Sequence, residues 1–398
     1  MQYLFLLGRD TKLSKLEIAT YFLANNIAYS VFINTDKFLI LDIKHPEKIS
    51  FLKIQKDLSG VTRIVKIYYS SKQVDSEILN KFDVDYDKKL NYTISTIDVD
   101  KDTRSDIELL LKQKFKEERI KAIYKKPVSH SKKRSEKNYI TNPDNFYSWK
   151  IDQTGFEFFA IFVNDIYYFG ITVSCFNPKI NKFKDTKRPK IKEKYNTSFR
   201  IAGIMINLLG APKKSVIADP FCGTGTFLIE GLIKDYDVIG VDVDHDMIYC
   251  SKKNIEWAIK EFKIKNSTFK VLQGSSGKVK FRADNCVFEP YMGPFLKKIP
   301  SKEKSLKIVK ELNEVYFDVF KNLYSNLNKH AKIVCILPEF KTFDNQTIRI
   351  SQRSYLENGF RVYDVSKINP ELDLINPIPY STPSGSRINR YIYILEKE

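Results

Sequence analysis

The stretch Asp219-Pro220-Phe221-Cys222-Gly223-Thr224-Gly225-Thr226 decides the reading of this chain. An apolar run, Val216-Ile217-Ala218, leads into it, and Phe227-Leu228-Ile229-Glu230 follows at helical spacing. Strand, tight glycine turn and helix make the first turn of a doubly wound α/β sheet with a nucleotide-type pocket. Gly223 and Gly225 let the backbone turn sharply and let a ligand approach without meeting a Cβ. A dinucleotide pocket needs a third glycine, but Thr226, Phe227 and Leu228 stand there. A P-loop needs a Lys-Ser/Thr pair after the glycines, and none follows. What remains is Asp219 at the mouth of the strand and Asp242, 23 residues further on, in Ile239-Gly240-Val241-Asp242. Asp219 suits an ammonium or hydroxyl, and an acidic residue at the distance of Asp242 suits ribose hydroxyls. S-adenosylmethionine carries an ammonium, a ribose and no phosphate, so it fits the pair. Taken alone, Asp242 also reads as a helix cap.

The chain has 398 residues, too many for one compact core, and its 43% hydrophobic content is ample for burial, so two or three folded domains are expected. The net charge of +18 implies a polyanionic partner, nucleic acid before a membrane surface, with lysine used for solubility as the plain alternative. Five scattered cysteines without a CxxC, and four dispersed histidines, offer neither a disulfide framework nor a metal-ligand set. The opening residues lack a basic n-region, and no run is long and apolar enough to span a bilayer, so the cytoplasm is the expected compartment.

Residues 1–72 alternate as strand, helix, two strands, helix and strand, the order of a ferredoxin-like module, with Ser14 as expected cap of the first helix. Residues 73–180 form a second β-rich module, in which Phe156 to Val163 and Ile166 to Val173 make a hairpin turning at Asn164-Asp165. Residues 181–198 read as a basic linker, and 199–398 as the doubly wound domain, closed by an antiparallel pair of late strands near Phe360 and Arg390. A strand from Lys332 is expected to end at Pro338. Two basic runs flank the second module, and Tyr124, Tyr139, Phe146, Tyr147 and Trp149 are interleaved with the first. Such runs are as often solvated faces, but two beside aromatic residues favour a phosphate-tracking surface. Lys125, Lys126, Lys132, Lys133, Arg134, Lys187 and Arg188 are the candidate RNA contacts.

The spelling of the central motif resembles that of methyltransferases acting on amino groups. Ala202 with Met205-Ile206-Asn207-Leu208-Leu209-Gly210, and Arg188-Pro189 before it, are similar to the corresponding segments of THUMP-domain tRNA guanine-N2 methyltransferases of the position-ten type. Leu6-Leu7-Gly8-Arg9, Leu13-Ser14 and Glu17 resemble the opening of that family's N-terminal domain. The resemblance implies a C-terminal Rossmann-like methyltransferase domain preceded by ferredoxin-like and THUMP-like modules that grip tRNA. It implies S-adenosylmethionine held by Asp219, Phe221, Gly223, Thr224, Gly225, Thr226, Asp242 and Ser275. It also implies a catalytic tetrapeptide of Asn or Asp, two prolines and an aromatic, for which Glu289-Pro290-Tyr291 is the counterpart.

An exocyclic amine is a poor nucleophile because its lone pair is delocalised into the ring. A side-chain oxygen and the following proline carbonyl accept its protons, and the aromatic stacks on the extruded base. This chain departs from the family pattern in having Glu, in lacking one proline, and in having Gly274-Ser275 where the family has Gly-Asp. Relatives act alone or with a small zinc-binding activator subunit, and a monomer or weak oligomer is expected. Two other readings stand beside this one: a DNA adenine or cytosine N-methyltransferase, and a non-catalytic RNA-binding protein on a degenerate methyltransferase fold.

Overall fold

A computed structural model describes residues 1–81, 89–127, 138–191, 197–380 and 386–398. Lys132, Lys133 and Arg134 therefore lie outside the described residues. The chain divides into two compact units, the first made of Met1–Gly8, Ala28–Lys56 and Val61–Ile180, the second of Arg9–Ile27, Asp57–Gly60 and Asn181–Glu398.

The first unit is built on one sheet of eight strands: β1 (Gln2–Leu7), β2 (Tyr29–Asn34), β3 (Phe38–Ile43), β4 (Val61–Ser71), β5 (Lys89–Ile97), β6 (Lys121–Tyr124), β7 (Gly155–Val163) and β8 (Ile166–Cys175). Their order is β2-β3-β1-β4-β8-β7-β5-β6. The first four form an antiparallel ferredoxin-like sheet, and β4 pairs antiparallel with β8, so both N-terminal modules share one sheet. The hairpin turn is made by Asn164 and Asp165 at φ 52° and 59°, the left-handed pair that a two-residue loop demands. A buried ion pair stitches the sheet across its middle. Arg63 Nε on β4 lies 2.8 Å from Glu157 Oε2 on β7, and Ser95 of β5 and Thr172 of β8 donate to the same carboxylate. Helices of this part of the chain are α2 (Phe51–Asp57), α3 (Glu77–Lys81), α4 (Lys101–Glu117), α5 (Pro143–Ser148) and α6 (Ile151–Thr154), numbered after α1 (Thr11–Ala24).

Helix α1 belongs to the second unit. It starts at Thr11, and Ser14 sits inside it with its Oγ bonded back to the Asp10 carbonyl, so Ser14 is not the expected cap. Leu13 and Leu16 pack in one apolar cluster with Ile201, Met205 and Leu208 of α8 (Phe199–Leu208), the helix that follows α7 (Pro178–Lys187). The fully buried Glu17 accepts from the Ser59 and Gly60 amides at 2.8 and 2.7 Å and from Asn207 Nδ2 at 2.7 Å.

The sheet of the second unit contains β9 (Val216–Asp219), β10 (Asp237–Asp242), β11 (Phe269–Gln273), β12 (Asn285–Phe288), β13 (Lys332–Lys341), β14 (Thr347–Arg349), β15 (Phe360–Val362), β16 (Ile378–Tyr380) and β17 (Ile388–Lys397). The order is β11-β10-β9-β12-β13-β17-β15, parallel from β11 to β13 and antiparallel at β17. Successive strands run outward one way from β9 to β11, then resume on its other side at β12. That reversal is the topological switch point, where ligands bind at the carboxyl ends of the strands. Strand β13 continues through Pro338 rather than ending there. It outruns β12, whose last pair is Phe288 with Cys335, so a missing N–H on that side breaks no ladder bond. Helices α9 (Thr226–Ile233), α10 (His245–Glu261), α11 (Lys302–Asn326) and α12 (Arg353–Leu356) complete the unit. Ser301 caps α11, whose Ile308, Leu312, Tyr316, Val319 and Leu323 face the core at helical spacing.

Candidate active site

Three carboxylates stand at or just beyond the carboxyl ends of the strands flanking the switch point: Asp219 ends β9, Asp242 ends β10 and Glu289 follows β12. Asp219 is fully buried. Its Oδ1 accepts from the Phe221 amide at 3.0 Å, and its Oδ2 has no hydrogen-bond partner. Burial pushes its carboxyl well above the ordinary range, against the Phe221 hydrogen bond, and the charges of Asp242 and Glu289 push the same way. An orphaned, reluctant carboxylate under a glycine turn is matched by a cationic ligand.

The turn is closed by its own hydrogen bonds. Cys222 N donates to Val241 O, Gly225 N to Cys222 O, and Asp242 Oδ2 accepts from Gly223 N at 2.9 Å. Gly223, at φ +49°, has open space where a Cβ would stand, its nearest neighbour being the Phe221 carbonyl at 4.0 Å. Gly225, at φ +88°, is closed in, because a Cβ there would come within 2.7 Å of Ser251 Oγ. The first glycine thus keeps the ligand side clear, and the second lets α9 pack on α10. Phe221 lies tilted against Phe288 with ring centroids 5.7 Å apart. The Thr224 carbonyl accepts from Asn254 on α10 at 2.9 Å, and Thr226 Oγ1 accepts from Arg188 Nη1 at 3.0 Å. Of the residues expected to hold S-adenosylmethionine, Asp219 has an unpaired oxygen, Gly223 has open space beside it and Asp242 ends a strand.

Ser275 is exposed, and its carbonyl accepts from the Lys278 and Val279 amides. The neighbouring Ser276 is the buried one, and its hydroxyl donates to the Pro220 carbonyl. Sequence reasoning missed Ser276 and Asn254 because nothing local marks a serine or asparagine that closes a turn from 30 or more residues away.

At Glu289-Pro290-Tyr291, Pro290 is buried and the Tyr291 side chain is 57% exposed. The Tyr291 carbonyl accepts from the buried Tyr316 hydroxyl of α11 at 2.6 Å, which pins the tripeptide backbone while leaving the ring outside. Glu289 Oε2 accepts from Thr197 Oγ1, and Oε1 lies 3.4 Å from Arg390 Nε. Neither partner was visible in sequence, since they lie about a hundred residues away on either side.

Of the candidate RNA contacts, Lys126 and Lys187 are exposed, and Lys125 is half-buried with its amide bonded to the Tyr92 carbonyl. Arg188 is a correction. It is 4% exposed, lies over the Phe199 ring at 5.2 Å and donates to Thr226, so its guanidinium supports α9 from inside rather than meeting phosphate. Lys184 is likewise turned inward, onto Glu230. Among the described residues no helix is long and apolar enough to cross a membrane, and no group of three or more metal-type ligands occurs.

Residues 196–354 match the family model UPF0020, described as RMKL-like, methyltransferase domain. A tRNA (guanine(10)-N2)-dimethyltransferase of Methanothermobacter thermautotrophicus is 28% identical over 142 residues, 35% of this chain and 38% of the relative. One of Pyrococcus abyssi is 31% identical over 134 residues, 34% of this chain and 37% of the relative. The matched stretch thus spans under two-fifths of either relative. The crystal structure of TrmN from Thermus thermophilus superposes over the whole of both chains with a TM-score of 0.55 at 11% identity, which supports the fold.

Proposed function

We propose, for a chain whose residues 196–354 match the RMKL-like methyltransferase domain, that the protein methylates the exocyclic N2 of a guanosine in tRNA with S-adenosylmethionine as donor. The observation that carries the reading is the group of Asp219, Asp242 and Glu289 around one switch point, with an exposed aromatic beside the last. Relatives named for guanine-N2 dimethylation are similar to this chain over 142 and 134 residues.

When bound, the cofactor would supply an electrophilic methyl group on a sulfonium, whose sulfur departs as a neutral thioether. Asp219 would face its positive charge, Asp242 its ribose, and Gly223 gives it room. Glu289 accepts the proton that the guanine amine loses, and the Pro290 carbonyl accepts from the other N–H. Tyr291 stacks on the base drawn out of the RNA. Guanine presents N1–H and N2–H side by side, and a carboxylate answers both. Lys125, Lys126 and Lys187 carry part of the phosphate contact, with tRNA as the partner and the cytoplasm as the place of work.

The test is methyl transfer by the purified full chain to total tRNA, with nucleoside mass spectrometry of the product. N2-methylated guanosine, abolished by Glu289→Ala, supports the reading. Methylation of duplex DNA but not tRNA, or no cofactor binding at millimolar concentration, overturns it. Repeating the assay with an extract fraction added shows whether an activator subunit is needed.

A further inference from the structure

We propose that Arg390, together with Thr197, is a positioning residue for Glu289, holding its carboxylate as the acceptor of both donors on the guanine N1–N2 edge. The assignment rests on the reading of Glu289 as the group that meets the amine.

The carboxylate is approached from two sides by groups remote in sequence. Thr197, one residue before the α8 cap Ser198, donates its hydroxyl to Oε2. Arg390, on β17, brings Nε to 3.4 Å from Oε1, and that nitrogen is buried without a hydrogen-bond partner. At this distance and alignment the guanidinium supplies charge without taking a lone pair. An ionised carboxylate has about four lone-pair sites on its two oxygens. Thr197 takes one on Oε2, so each oxygen retains capacity for a donor. That is the need of guanine, with two adjacent N–H groups. Adenine offers one amine beside a ring nitrogen that is itself an acceptor, and would set a lone pair against the charge.

The backbone holds Arg390 in place. It pairs with Pro338 of β13 on one side and with Tyr380 of β16 on the other. Tyr380 is half-buried, and its desolvation followed by the Glu289 charge raises its hydroxyl pKa, so it stays a neutral neighbour. A family pattern with Asn or Asp has a shorter side chain at this point. Here the longer, charged Glu289 comes with its own cation.

An ion pair at 3.4 Å with both side chains partly exposed adds little to stability. Arg390→Met should therefore leave the Tm near that of the wild type. It should lower kcat by about 10- to 100-fold, as expected when a reacting group loses its orientation, and leave KM for tRNA and Kd for S-adenosylmethionine unchanged. Arg390→Lys should restore part of kcat. In a double-mutant cycle, Arg390→Met should change little once Glu289→Gln is present, because its effect passes through that carboxylate. Wild-type kcat in Arg390→Met, or an equal fold-loss in both backgrounds, overturns the proposal. If Arg390→Met does not fold, Arg390→Lys carries the same cycle. A wild-type chain with no tRNA methylation overturns the underlying reading instead, and the assignment with it.

Discussion

Replacing Asp219 with Asn keeps the shape of the central turn and removes its charge. The Asn oxygen can still accept from the Phe221 amide, which Asp219 Oδ1 meets at 3.0 Å, so the strand-to-helix turn should survive. What is lost is the attraction for a cationic ligand. Two opposite unit charges about 5 Å apart at an effective dielectric of about 20 attract by about 3 kcal/mol. Part of that is consumed in ionising a carboxyl that burial, Asp242 and Glu289 hold well above the ordinary range, at about 1.4 kcal/mol per pKa unit. The net loss is therefore below about 3 kcal/mol, an up to roughly 150-fold weaker Kd for S-adenosylmethionine. The sign of the pH dependence follows. The cation favours the ionised form, so binding releases a proton from Asp219. Affinity is fully present above the raised value and falls as the pH drops through it. Calorimetry over a series of pH values, in two buffers of different ionisation enthalpy, measures both Kd and protons released. Asp219→Asn should abolish the release and flatten the profile, and it also controls for ionisation of the cofactor. Equal affinity in both proteins with no proton release in the wild type would refute the reasoning.

The two glycines of the turn should separate folding from binding. Gly225→Ala meets both a positive φ and Ser251 Oγ at 2.7 Å, and should cost about 1–3 kcal/mol of stability, read as a lowered Tm. Gly223→Ala, with open space around it, pays only the left-handed strain of about 1–2 kcal/mol, and its larger effect should be a weaker cofactor Kd. Tyr291→Ala should lower methyl transfer by about 10- to 100-fold through lost base stacking with Tm unchanged, and Tyr291→Phe should stay near wild type. Glu17→Ala leaves the Ser59 and Gly60 amides and Asn207 without their acceptor and should cost roughly 3 kcal/mol in denaturant unfolding. Burial raises the Glu17 pKa in the folded chain, so its pH-linked contribution is fully present below the unfolded value and is lost as pH rises through the folded one. The stability difference between wild type and Glu17→Gln should therefore shrink with rising pH.

Much of the site was legible where the chemistry is local. Asp219 to Thr226 spells its own turn, since each positive φ falls on a glycine and the flanking apolar runs have strand and helix periods. Asn164-Asp165 spells its hairpin because asparagine and aspartate tolerate the left-handed region that the turn requires. The basic run before α8 misled at Arg188, and Lys184 in the same run behaves likewise. Composition counts charges but does not say which way a side chain points, and these two turn inward to Thr226 and Glu230. Apolar spacing marked α1 as a helix, but its covering surface, α8, lies nearly two hundred residues on.

The sequence by itself determined the parts that close within a few residues: strand, glycine turn, helix, and a carboxylate at each strand end. Only the tertiary structure decided what surrounds those carboxylates. Asn254 and Ser276 close the turn, and Thr197 and Arg390 flank Glu289, because strand pairing and helix packing bring distant chain into hydrogen-bonding range. Local patterns are written by backbone torsion and side-chain period, which a short window contains. Electrostatic environment is written by neighbours in space, which it does not.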